Sequence, residues 1–136
     1  MKRNIDIEQL IGMPVKEIKK LYMMFEMQDN LPNNGNLIDW EYYINNREHN
    51  PFKGFWTRFI YVLDIPTLQD IITRHYSLTI NIDTHESITS VYLYTESDEY
   101  LETRCPEQID ALFAAVKFVL EMNHPDNVDN AITIIV

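Results

Sequence analysis

Residues 78–83 alternate, with Leu78, Ile80 and Ile82 apolar and Thr79, Asn81 and Asp83 polar. Val91 and Leu93 alternate in the same way with Tyr92 and Tyr94. A period of two over this length marks half-buried strands. The pattern predicts a hairpin over 77–95, turning through Thr84–Ser87. Its inner face is Leu78, Ile80, Ile82, Val91 and Leu93; its outer face shows two tyrosines among polar and acidic groups.

Helical periodicity marks three other stretches. Pro14 suits a first helical turn, and Val15, Ile18, Leu21, Tyr22 and Phe25 fall on one stripe, predicting a helix over 14–28. Met23 and Met27 lie opposite that stripe. Methionine adapts to irregular surfaces, so these two and Phe118 are the candidate contacts of a homo-oligomer. Pro66 opens a helix over 66–75, with Leu68, Ile71 and Ile72 inward. A third helix, 106–122, carries Ile109, Leu112, Phe113, Val116, Val119 and Leu120 as its core stripe. Ala111, Ala115, Phe118 and Met122 widen that apolar arc, so the helix expects cover on two sides.

Residues 55–64 (FWTRFIYVLD) are rich in β-formers and predict a strand, and 131–136 (AITIIV) predicts a last strand internal to the sheet. Residues 37–45 fit both periods, and their aromatic and β-branched content favours strand. Gln28–Asn36, Asn46–Gly54 and Asp126–Asn130 read as loops. The order predicts one α+β domain, 1–136: an antiparallel or mixed sheet from the hairpin 77–95, strand 55–64 and strand 131–136, with helices 14–28, 66–75 and 106–122 mainly on one face.

Charge adds a direction to this outline. Residues 1–75 hold ten acids and nine bases; residues 76–136 hold eleven acids and only Arg104 and Lys117. The acidity therefore begins at the hairpin. Such a half repels a phosphate backbone and steers basic partners inward. The densest acidic run is Glu96–Glu102.

Candidate chemistry changes the picture little. Cys105 sits at a helix start beside Arg104, where a thiol can be activated, but Glu102 and Glu107 oppose a thiolate and no Cys–His pairing is readable. His49, His75, His85 and His124 share no helical metal spacing. Asp83, His85 and Glu86 read as a solvated turn, and the acidic run lacks the central glycine of a calcium loop. Three scattered glycines build no phosphate cradle. No catalytic residue, metal site or cofactor is therefore expected. One cysteine, no apolar leader after Met1–Arg3 and no long apolar run point to a cytoplasmic protein that does not enter a membrane, and the acidic half argues against direct nucleic-acid binding.

What remains is a surface. Tyr92, Tyr94 and Tyr100, with Asp83, Glu86, Glu96, Asp98, Glu99 and Glu102, form the candidate partner-binding site. The expected function is a non-enzymatic acidic interaction module. Its concrete form is an inhibitor or immunity-type protein, of the kind phages and mobile elements encode against defence systems. It would dock on a basic protein surface and compete there with nucleic acid. The alternative is a small-molecule sponge or sensor whose pocket is lined by Trp40, Trp56 and tyrosines.

Overall fold

A computed structural model describes residues 1–25, 34–96, 98–122 and 132–135. The fold is α+β, with a four-stranded mixed sheet. The chain divides into two compact units: a helical unit, Ile5–Leu63, and a sheet unit formed by Met1–Asn4 with Asp64–Val136.

The helical unit contains α1 (Ile7–Ile11), α2 (Val15–Met23), a 3-10 turn (Gly35–Leu37), α3 (Trp40–Asn45) and α4 (Phe52–Val62). Capping residues start two of these helices. The Asp6 backbone N–H donates 2.8 Å to Gln9 Oε1 in a capping box, and Asp39 Oδ1 accepts from the Tyr42 N–H at 3.1 Å. Ile18, Leu21 and Tyr22 of α2 are buried, as their stripe predicts. The helix predicted to reach 28 ends at Met23 and continues as a turn through Phe25; residues 26–28, with Met27, lie outside the described residues.

Two predicted strands are helices. In 55–64 the buried residues are Trp56, Phe59 and Leu63, whereas Thr57, Arg58 and Tyr61 are exposed. That spacing of three and four is helical, and it overrides the β-propensity of the aromatic residues. In 37–45 only Trp40 and Ile38 are buried, and the Asp39 cap sets α3. Aromatic packing drives this outcome. Tyr22 meets Trp40 and Phe59 edge-on, each at 5.3 Å between centroids, and Trp56 stacks on Phe59. Such pairs add about 0.5–1.5 kcal/mol each beyond the area they bury.

In the sheet unit, Asp64 caps α5 (Ile65–Asp70) by accepting from the Thr67 N–H at 3.0 Å, with Pro66 in the first turn. A π-helical turn, Ile71–His75, completes the predicted helix 66–75. The hairpin is β1 (Thr79–His85) and β2 (Ile88–Tyr94), and it turns on two residues, Glu86 and Ser87, with φ of 52° and 66°. Two left-handed residues in a two-residue loop match the right-handed twist of the strands. Val91, Leu93 and Leu78 are buried as expected; Ile80 and Ile82 are only half-buried, because β1 is an edge strand.

The strand β3 (Glu99–Cys105) lies in the acidic run, where no strand was predicted. It pairs antiparallel with β2 and parallel with β4 (Ile132–Ile135), in the order β1-β2-β3-β4. The last strand is thus an edge rather than internal, and Ile135 is exposed. Residues 131 and 136 of the predicted strand, and the loop 126–130, lie outside the described residues.

Helix α6 (Gln108–Met122) crosses the inner face of β2 and β3. It starts two residues after Pro106, with the Glu107 carbonyl accepting from the Ala111 N–H. All six residues of its predicted core stripe are buried. The chain start is tied to the same helix: Lys2 Nζ lies 2.8 Å from Asp110, and the Lys2 N–H donates 3.2 Å to Glu107. Asn4 pairs with Asp64. Among the described residues, no helix is long and apolar enough to cross a membrane.

Candidate partner-binding surface

Strand register decides which side chains share the outer face. Residues opposite each other in a ladder point to the same side. Tyr92 lies between Asn81 and Glu102, Ser90 between Asp83 and Arg104, and Tyr94 between Thr79 and Glu99. On the far side of β3, Thr133 and Ile135 extend the first two rows. The Tyr92 and Tyr94 rings stack, with centroids 6.5 Å apart and planes 25° apart. Both are half-exposed. Within the sheet unit α6 occupies the opposite face, where the Thr103 hydroxyl donates 2.7 Å to the Ala111 carbonyl.

The acids do not ring the tyrosines evenly. Asp83 and Glu86 stand at the turn end of the hairpin, and Glu96, Asp98 and Glu99 at the other end of β2. Six residue steps, or about 20 Å, separate the two ends. All five are exposed. The Thr95 N–H donates 2.9 Å to the Asp98 carbonyl and the Asp98 N–H donates 3.3 Å to the Thr95 hydroxyl, which shapes the second acidic turn.

Two predicted site residues are placed differently. Tyr100 is buried and packs edge-on against Phe118 of α6, at 5.7 Å. The cause is a bulge: Leu93 pairs with Leu101 but Tyr94 pairs with Glu99, so Tyr100 is the extra residue and turns inward. Phe118 is correspondingly half-buried, and Met23 is 38% exposed. Glu102 does lie on the outer face, but it is buried and bonded to Arg104, two residues along the same strand. The bond and charge of Glu102, together with Tyr92, raise the Arg104 pKa further. The centre of the face therefore holds an ion pair that sequence reasoning passed over. An i, i+2 acid–base pair within a strand is the signal that could have found it.

The other candidates fall away from this face. Cys105 is buried at the end of β3, opposite Thr89. Among the described residues, no three His, Cys, Asp or Glu side chains gather as a metal site. Trp40 and Trp56 are both buried in the aromatic core of the helical unit, with ring centroids 6.1 Å apart. Trp56 does border one cavity there, about 710 Å³, lined by Ile5, Ile7 and Ile60 together with both acids (Asp6, Glu8, Glu48) and bases (Arg47, Lys53). Arg47 is held by the Ile44 carbonyl at 3.0 Å and by Glu8 at 3.6 Å.

No protein-family model matches this chain, and neither the curated proteins nor the solved structures include a significant match to it.

Proposed function

We propose that this chain is a non-enzymatic interaction module that docks on a basic surface of a partner protein. The observation that carries it is the outer face of the sheet: a stacked, half-exposed tyrosine pair bracketed lengthwise by five exposed acids. Aromatic residues supply apolar contact area with little rotamer entropy to lose, and flanking acids speed encounter with a cation-rich surface. The sheet unit carries thirteen acids against five bases, so its field extends the local pattern. An inhibitor or immunity-type role, with the acids standing in for nucleic acid in a basic groove, is the specific form this reading takes.

The test is capture from a cell lysate at low and at physiological salt, beside the variant Glu96→Lys/Asp98→Lys/Glu99→Lys. Basic proteins held by the unmodified chain, lost to the variant, weakened by salt and displaced by added DNA support the reading. Retention by the variant at unchanged rate, or binding indifferent to salt, sinks it. A second reading, a small-molecule binder, draws on the cavity beside Trp56. Native mass spectrometry of the purified protein tests it: extra mass that the Trp56→Ala variant loses supports it, and the bare chain mass counts against it.

A further inference from the structure

Among the described residues of the sheet unit, β1 is an edge strand with little of the usual edge protection. A seven-residue strand, TINIDTH, ends the sheet with no proline, no lysine and no bulge. Natural sheets normally protect such an edge, because its unpaired backbone groups accept another strand. The register shows which groups these are. The two-residue turn is closed by the pair His85–Ile88, and hydrogen-bonded and non-bonded pairs alternate from there. Asp83 and Asn81 therefore bond inward to β2, while Ile80, Ile82 and Thr84 direct N–H and C=O groups outward. The Thr84 and Thr89 hydroxyls lie 3.4 Å apart, as suits the closer side chains of a non-bonded pair. Among the described residues, no strand other than β2 pairs with β1.

Beside this edge runs a groove of about 540 Å³, walled by Gln69 and Thr73 on one side and by Leu78, Ile80 and Ile82 on the other. Ile80 and Ile82, half-buried, offer the groove an apolar row; Asp83 faces the opposite side of the sheet, beside the tyrosine row.

We propose that β1 accepts an extended strand of the partner protein, one whose residues alternate apolar and basic. This rests on the interaction reading above and names the element of the partner that docks. The added strand completes the three open backbone positions. Its apolar side chains lie over Ile80 and Ile82, and its basic side chains fall on the outer face near Asp83 and the flanking acids. Charge selects this occupant over a second copy, since two sheet units of the same strong negative charge repel and would bring Asp83 of each copy to the shared edge.

The probe is a blocked nonapeptide alternating lysine and valine, with a peptide of equal composition in two homogeneous blocks as control. Amide exchange is followed by NMR on the full chain. The alternating peptide should slow exchange at Ile80, Ile82 and Thr84 by tenfold or more and leave Asn81 and Asp83 unchanged; the block peptide should do neither. Ile82→Pro should weaken the peptide at least tenfold, because that N–H points outward and its loss costs the β1–β2 ladder nothing. Thr84→Pro serves the same purpose if the first variant does not fold. Peptide binding without slowing at the three amides overturns the proposal, as do proline variants that bind unchanged. Slow exchange at these amides in the peptide-free protein, with twice the monomer mass in sedimentation, makes a second copy the occupant and also overturns it. Edge protection that persists in the charge-reversed variant, with no salt dependence, upholds strand addition and removes the steering role of the acids.

Discussion

The Thr103 hydroxyl donates a 2.7 Å hydrogen bond to the carbonyl of Ala111, joining the middle of β3 to the first turn of α6 in a site closed to water. The bond lies on the inner face of the sheet, among the buried apolar residues that α6 covers, and the opposite face remains for the tyrosines. Thr103→Val keeps the shape and removes the donor, while the carbonyl retains its helical position. The expected cost is about 1 kcal/mol, read as a lower urea midpoint. An unchanged midpoint would mean that apolar packing alone seats α6.

The hairpin turn places two residues with a Cβ in the left-handed region, Glu86 at φ 52° and Ser87 at φ 66°. Asparagine tolerates this region and glycine enters it freely. Glu86→Asn with Ser87→Gly should stabilise the sheet unit by about 1 kcal/mol. Thermal melting checks this; a loss of stability would show that the turn has a different form in solution.

Arg104 is the only described base bonded to the buried Glu102. Arg104→Ala leaves a carboxylate covered by its neighbours without its partner, so the urea midpoint should fall. Adding Glu102→Gln removes the charge and should restore most of the loss. A double variant no better than the single one would mean that the two side chains act independently.

Burial, and then the charge of Tyr100, raise the Tyr76 pKa from 10.0 to about 12. The folded chain therefore holds this proton more tightly than the unfolded one. The associated stability is intact below about pH 10 and is lost as pH rises toward 12. Burial raises the Tyr100 pKa in the same direction. Urea midpoints measured between pH 9 and about 12 should decline, and less steeply in Tyr76→Phe. An equal decline in that variant would assign the effect to other groups.

Much of the sheet unit was legible in the residue pattern. The alternation of Leu78–Asp83 and Val91–Tyr94 predicts β1 and β2, and the Ile109–Leu120 stripe predicts α6, because each element buries one face and local periodicity records which. The candidate site was legible in part. Tyr92 and Tyr94 share the outer face, since a period of two leaves no choice, and Asp83, Glu86, Glu96, Asp98 and Glu99 are exposed as charge demands.

Local pattern by itself determined, then, the elements that bury one face and the uneven placement of charge along the chain. Tertiary structure alone decided three things. It made Phe52–Val62 a helix, because packing around Tyr22 and Trp56 rewards a spacing of three and four over the β-propensity of single residues. It drew the acidic run into β3, because Arg104 neutralises Glu102 and a neighbouring strand on each side completes its backbone bonds. It also turned Tyr100 inward, because one extra residue opposite Leu93 and Tyr94 shifts the register and reverses the side to which that ring points.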